Sequence, residues 1–297
     1  GSEMCIRDRY SPPAKPLKKI DLLYTFIENI EDLAFLNDEL IDKPYVAIDT
    51  EFRRTSKDNM KLALMQVNDG EEIYLIDTVR IKEPKNAANF LFSKDVLKIL
   101  HSCKEDLEAI FSWSNQKMEN IFDTQLANSF LENEYSISYQ GLVEKKLGII
   151  LNKKETRSNW LKRPLSDDQL KYAALDVEYL IPLYLEQKEL LRSSGKNYWH
   201  DEDIQKLVSN TFENQMSENN IRRSIPREQE NELLYKLNLK VNEIAKQERI
   251  NPTLFFSKKA QKDLLRIALL EGADPAFREI TPWRKKLLKK EIIEILK

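Results

Sequence analysis

Apolar positions along this chain follow two different periods, and the change from one to the other divides it. Residues 45–48, 62–67 and 73–76 are short apolar runs rich in β-forming residues, of the length a buried strand uses. Asn68-Asp69-Gly70 joins the second to the third with a strong hairpin turn sequence, so the three runs predict an antiparallel meander. Upstream, a β-like run from Leu22 leads to Asn29, an expected helix N-cap, after which Leu33, Leu36 and Leu40 recur at helical spacing until Pro44. Downstream, the apolar run 96–100 gives way to the helical pattern Leu107, Ile110, Phe111. Ser166-x-x-Gln169, just after Pro164, is a capping box that opens a long helix expected to end at Ser193-Ser194-Gly195. Strands alternating with helices predict an α/β architecture with a mixed sheet. Past Leu191 the period is helical throughout. Leu233, Leu234, Leu237, Val241, Ile244 and Ala245 form one stripe and Leu264, Leu265, Ala268 and Leu269 another, punctuated by Asn251-Pro252 and Asp274-Pro275.

Length changes the picture by suggesting two domains, since 297 residues exceed the usual size of one. A formal charge of −2 gives no global nucleic-acid signature, so any electrostatic footprint is local. Cys5 and Cys103 alone support no disulfide framework and fit a reducing cytoplasm. No run of about 18 apolar residues predicts a membrane span, and the first residues lack the apolar core of a signal peptide. Residues 1–19, with Pro12, Pro13 and Pro16, read as a disordered leader, its Gly1-Ser2 consistent with a tag remnant.

The chemistry begins where the first meander strand meets Asp49 and Glu51. Two apart on a strand, these carboxylates share a face with Thr50 turned away. Crowded carboxylates repel and shift their pKa values unless a cation lies between them, and hard divalent ions such as Mg²⁺ or Mn²⁺ take oxygen ligands. A solvated strand end is the other reading, and the pair alone does not choose. Glu105 and Asp106 fall at a helix start, where acidic residues also complement the helix dipole. His101 has no second histidine or cysteine at ligand spacing and reads as a structural hydrogen-bonding residue. Tyr172 and Asp176 are four apart on one helical face, and the slim Ala173-Ala174 spacer lets that helix approach a sheet closely. A packed aspartate needs a charge partner, which a metal would supply; a peripheral position on an amphipathic helix is the alternative.

Taken together, Asp49-x-Glu51, His101-Ser102-x-x-x-Asp106 and Tyr172-x-x-x-Asp176 resemble, in order and spacing, the three motifs of the tyrosine-bearing branch of the DEDD exonucleases. More narrowly, the chain resembles the ribonuclease D family in Ile48-Asp49-Thr50-Glu51-Phe52, Glu105-Asp106-Leu107-Glu108, Phe122-Asp123-Thr124-Gln125, Trp160-Leu161-x-Arg163-Pro164-Leu165-Ser166 and Tyr172-Ala173-Ala174-x-Asp176-Val177-x-Tyr179-Leu180. Asn159 departs from the aspartate common there. The resemblance implies a ribonuclease H-like 3′-5′ exonuclease fold and hydrolysis of RNA from its 3′ end with release of 5′-monophosphates. It also implies two divalent ions, Mg²⁺ or Mn²⁺, held by Asp49, Glu51, Asp106 and Asp176, with the Tyr172 hydroxyl orienting the attacking water. Phe52, Trp160 and Arg163 are the expected RNA contacts, each alternatively a core aromatic or a capping cation; Arg53-Arg54 would counter phosphate charge or face water.

The organisation expected is a leader at 1–19, the exonuclease domain at 20–195, a helical linker at 196–228 and, at 229–297, a helical domain similar to the HRDC module that follows the nuclease in ribonuclease D. Residues 258–297 carry eleven Lys or Arg against six Asp or Glu, which suits an anchor for a tRNA-like body or, equally, a solvated face. Two functions from different classes are consistent with this sequence: an exoribonuclease trimming tRNA or other stable RNA, and a non-catalytic RNA binder on a nuclease fold. A DNA-directed exonuclease is the alternative within the enzyme class.

Overall fold

The alternating segments close into a six-stranded mixed sheet of order β1-β4-β3-β2-β5-β6. The computed structural model describes residues 23–56, 59–132, 134–151, 158–213 and 226–296; the expected leader lies outside them. The strands are β1 (Thr25–Ile27), β2 (Tyr45–Ser56), β3 (Asn59–Asn68), β4 (Ile73–Ile76), β5 (Leu97–Leu100) and β6 (Ile121–Asp123). β2, β3 and β4 form the predicted antiparallel meander, while β1 joins β4, and β5 and β6 extend from β2, in parallel. The turn between β3 and β4 is built as its sequence demands: Gly70 takes φ +94°, and Asp69 Oδ1 accepts the backbone N–H groups of Glu71 and Glu72 at 2.9 and 2.8 Å.

Side-chain alternation gives the sheet two buried faces. Val46 and Ile48 pack with Leu33, Leu36 and Leu40 of α1 (Ile30–Leu40) and with Leu107 and Ile110 of α2 (Lys104–Ser114). Ala47 and its neighbours on the opposite face pack with α3 (Thr124–Glu132), α4 (Tyr139–Leu147), α5 (Asp167–Glu178) and α6 (Leu180–Ser193). Asn29 caps α1 as expected, its side chain accepting from the Asp32 N–H at 2.9 Å. The capping box at Ser166 and Gln169 is formed in both directions, at 3.0 and 3.2 Å.

Two expectations are corrected. The apolar run ending at Ile48 is only the first third of β2, which continues to Ser56 because its backbone pairs with β3 along nearly its whole length; the two carboxylates therefore sit within the strand rather than at its end. The long helix expected to reach residue 193 is two helices, broken at Tyr179, which lies outside helical geometry at φ −105° and ψ 3°. Pro182, early in α6, has no N–H to offer the Glu178 carbonyl.

Beyond residue 195, α7 (Asn197–Glu213) buries Trp199, His200 and Ile204 against α2, α3 and β6. The helices α8 (Arg227–Gln247), α9 (Pro252–Phe256), α10 (Lys258–Glu271), α11 (Ala273–Arg278) and α12 (Pro282–Leu296) follow. Asn251 caps α9 with Pro252 in its first turn. The break before α11 comes at Gly272, with φ +100°, and Pro275 sits in the helix's first turn, where no N–H is required. These helices dock on α7 through a stacked pair, Trp199 and Trp283, with ring centroids 4.5 Å apart and planes at 14°. Asp203 accepts the Trp283 indole N–H at 2.9 Å and pairs with Arg284, its Oδ2 lying 2.8 Å from Nη2. Among the described residues no helix is long and apolar enough to cross a membrane.

Candidate active site

β2 pairs with β3 on one side from Ala47 to Ser56, but with β5 on the other only at Tyr45, Val46 and Ala47. Past Ala47 that edge is open, and the acidic residues occupy it. Asp49 and Glu51 face α5, where Asp176 projects from the helix's last turn, and one ligand oxygen from each of the three lies within 4.8 Å of the others. Between the pairs Glu51–Leu64 and Phe52–Leu62, β3 carries one extra residue, Ala63, a bulge beside the carboxylates that adjusts where Glu51 points.

Asp106 arrives from the other face. Thr50, turned away from its two acidic neighbours, donates its hydroxyl to Asp106 Oδ1 at 2.5 Å. The start of α2, and hence the position of Asp106, is set by Asp123 at the end of β6. That one buried carboxylate accepts the N–H groups of Ser102 and Cys103 at 3.1 and 2.8 Å before α2, and of Gln125 and Leu126 at 2.8 and 3.1 Å in α3. Ser102 reaches this geometry at φ +63°, in the left-handed region. His101 is a structural residue, its ring nitrogens bonded to Thr124 Oγ1 at 2.9 Å and the Ile137 carbonyl at 3.0 Å; burial lowers its pKa and favours the neutral ring.

The electrostatics are those of buried carboxyls crowded together. Burial, then the nearby Asp176, pushes Asp49 well above the carboxylate range. Burial raises Glu51 to about 10, with Asp49, Asp176 and Asp106 adding to the effect. Asp106 is raised well above its ordinary value by burial and by Asp49, and burial raises Asp176 to about 7 against a hydrogen bond from Tyr172 that favours its ionised form. Among the described residues, no lysine or arginine is a leading cause of any of these four shifts. A cluster of hard oxygen donors that repel one another, with neither cysteine nor histidine among them, fits a divalent cation such as Mg²⁺ or Mn²⁺.

Tyr172 is buried one turn before Asp176, its ring tilted against Trp160 at 6.1 Å between centroids. Trp160 is 4% exposed, which corrects the expectation that it contacts RNA: it is part of the wall behind Tyr172. Arg163 is corrected for a different reason, because all its donors are already used. Its guanidinium grips the fully buried Asp77 twice, at 2.6 and 2.7 Å, the Ala63 carbonyl in the bulge at 2.7 Å, and the Trp160 and Lys162 carbonyls at 2.6 and 3.0 Å. Phe52 is half-buried beside Glu51, and Arg53 is exposed. Arg54 pairs with Glu108 and, at 3.8 Å, with Glu105. Asn159 is exposed, its carbonyl accepting the Lys162 N–H at 3.1 Å.

Sequence reading overlooked Thr50 and Asp123 as supports of the cluster. Thr50 lay inside the recognised string, so strand alternation could have assigned it to the opposite face and to α2. Asp123 directly precedes a helix, which is a capping signal, but its second helix is invisible from local sequence.

The 3′-5′ exonuclease family profile matches residues 24–192. Ribonuclease D of Pseudomonas paraeruginosa is 41% identical over 168 residues, covering 57% of this chain and 44% of that protein. The chain spans half or less of the length of the first curated relatives it matches. Among solved structures, Escherichia coli RNase D, described as an exoribonuclease involved in structured RNA processing, superposes with a TM-score of 0.61 at 22% identity, covering 93% of this chain and 74% of that one. Brucella melitensis NrnC with bound Mg²⁺ superposes with a TM-score of 0.56 at 20% identity, covering 68% and 97%.

Proposed function

The chain belongs to the 3′-5′ exonuclease family, and we propose that it is a metal-dependent exoribonuclease of the ribonuclease D kind that removes 5′-mononucleotides from free RNA 3′ ends, tRNA or other stable RNA precursors, in the cytoplasm. The observation that carries this reading is the meeting of Asp49, Glu51 and Asp176 within 4.8 Å, with Asp106 and Tyr172 beside them and, among the described residues, no lysine or arginine as a leading offset to their charge.

In this reading Asp49, Glu51, Asp106 and Asp176 hold two divalent ions. Such ions, when bound, activate water and stabilise charge on the phosphate and the leaving 3′ oxygen. Asp49 and Glu51 present their oxygens from a rigid strand, so the ligand set is in place before substrate arrives. Tyr172 positions the attacking water through its hydroxyl; with an ordinary pKa near 10, tyrosine is too weak a base at neutral pH to take the proton itself. Phe52, half-buried beside Glu51, is the aromatic available to the terminal base. The helical region 229–297 acts as an HRDC-like module that contacts the body of the RNA through its excess of basic residues.

The test is a matched pair of oligonucleotides, RNA and DNA, each with a 3′ overhang and a 5′ label, incubated with Mg²⁺ or Mn²⁺ and with EDTA. Stepwise shortening of the RNA, dependent on the ion and releasing 5′-mononucleotides, is expected. Binding without shortening would indicate a non-catalytic RNA binder, and faster shortening of the DNA would move the substrate class; either result overturns the proposal.

A further inference from the structure

The break between α5 and α6 is made by a residue outside every recognised motif. In a continuous helix the Tyr179 N–H would donate to the Leu175 carbonyl, closing the usual i to i−4 bond. Here the Tyr139 hydroxyl, reaching in from α4, occupies that bond: it accepts the Tyr179 N–H at 3.0 Å and donates to the Leu175 carbonyl at 3.0 Å. A side chain also reaches the turn from β3, and one further bond across the junction is missing. Asn68 Nδ2, from the end of β3, takes the Val177 carbonyl at 3.2 Å, and Pro182 offers no donor to that of Glu178. Insertion of a side chain into the backbone ladder is a recognised cause of a sharp helix break.

Asp176 lies inside this interrupted turn, between the two residues whose bond the tyrosine has replaced. Across the break, α5 lies over β2, β3 and β4 while α6 lies over β5 and β2. Tyr139 is 7% exposed and has both hydrogen-bonding capacities engaged, so it acts as a fixed wedge. We propose that Tyr139 is a positioning residue for Asp176: by replacing the hydrogen bond that would fuse α5 to α6, its hydroxyl sets the last turn of α5 so that Asp176 meets Asp49 and Glu51. This inference rests on the reading that Asp176 holds a cation.

The test uses the full chain with Tyr139→Phe, which keeps the ring's packing and lets the Leu175 carbonyl and Tyr179 N–H find each other. Binding of Mn²⁺ alone, followed by electron paramagnetic resonance of the free ion, is expected to weaken about 10-fold, with the melting temperature retained. With a short RNA, kcat is expected to fall while KM holds. If the variant binds Mn²⁺ as tightly as wild type, the proposal is overturned. Should wild type itself bind no Mn²⁺, the metal reading of the cluster fails and takes the proposal with it. If Tyr139→Phe is too unstable at room temperature, the same titration is made in the cold, where it is folded; wild-type Mn²⁺ affinity there overturns the proposal.

Discussion

Thr50 holds Asp106 through the sheet edge, its Oγ1 2.5 Å from Oδ1, although the acidic residues on either side of Thr50 face the opposite way. One strand thus presents two carboxylates directly and steadies a third from its reverse face. Thr50→Val removes the donor with little change in shape and is expected to lower Mn²⁺ affinity or turnover by about 10–100-fold, the usual effect of deleting a residue that orients a metal ligand. Thr50→Ser should recover most of it. A valine variant with wild-type Mn²⁺ titration and rate would remove Thr50 from this role.

Asp49→Asn should abolish release of mononucleotides while the protein stays folded, because the amide cannot replace the charge nearest both Asp176 and Asp106. In EDTA at pH 8 the variant should melt at or above the wild-type temperature, since a buried carboxyl that must either keep its proton or carry an uncompensated charge has gone. Retained turnover would contradict the metal assignment.

The raised carboxyls make a definite pH signature. Glu51 titrates at about 10 and Asp176 at about 7 in the folded protein, against ordinary values of 4.5 and 3.8. The native state therefore keeps protons that the unfolded chain has already lost, and their stabilising contribution is complete below about pH 4 and lost as pH rises through 7 and on towards 10. Melting in EDTA should show that decline between pH 5 and 9. Added Mg²⁺ binds the deprotonated groups, so the temperature gain it gives should grow with pH over the same interval. A gain that shrinks with pH would mean the ion binds elsewhere.

Arg163 and Asp77 form a buried pair whose members cannot be removed singly at low cost. Arg163→Ala strips the fully buried Asp77 of its two-pronged partner, leaving it Arg80 at 3.7 Å and two backbone N–H groups, and frees the carbonyl in the β3 bulge, an expected loss of about 2–3 kcal/mol in urea unfolding. Asp77→Ala should cost about as much, and the double variant much less than the sum. Additive losses would show that the two residues act independently.

The features legible in the sequence are those written within a few residues of one another. The hairpin at Asn68-Asp69-Gly70, the Ser166–Gln169 box and the shared face of Asp49 and Glu51 each follow from local geometry, and each is present. What escaped was written at a distance. The break at Tyr179 depends on a hydroxyl 40 residues upstream, and Arg163, which local sequence presents as a free cation, is committed to an aspartate 86 residues away. For Trp160 local sequence left both an RNA contact and a core aromatic open, and only the packing of Tyr172 from α5 against it selects the second.

The burial of α7 sets where the nuclease can be cut. The family match stops at residue 192, yet His200 stacks on Phe122 at 4.3 Å with its Nε2 3.2 Å from the backbone nitrogen of Asp123, the residue that caps the helix bearing Asp106. A fragment trimmed to the motif boundary would strip an aromatic neighbour from the outermost strand and wet the ground beneath the acidic cluster. For expression or crystallography, the smallest sound catalytic unit therefore runs past Ile204, and mutations at Trp199, His200 and Ile204, the buried positions of α7, reach the packing beneath the cluster.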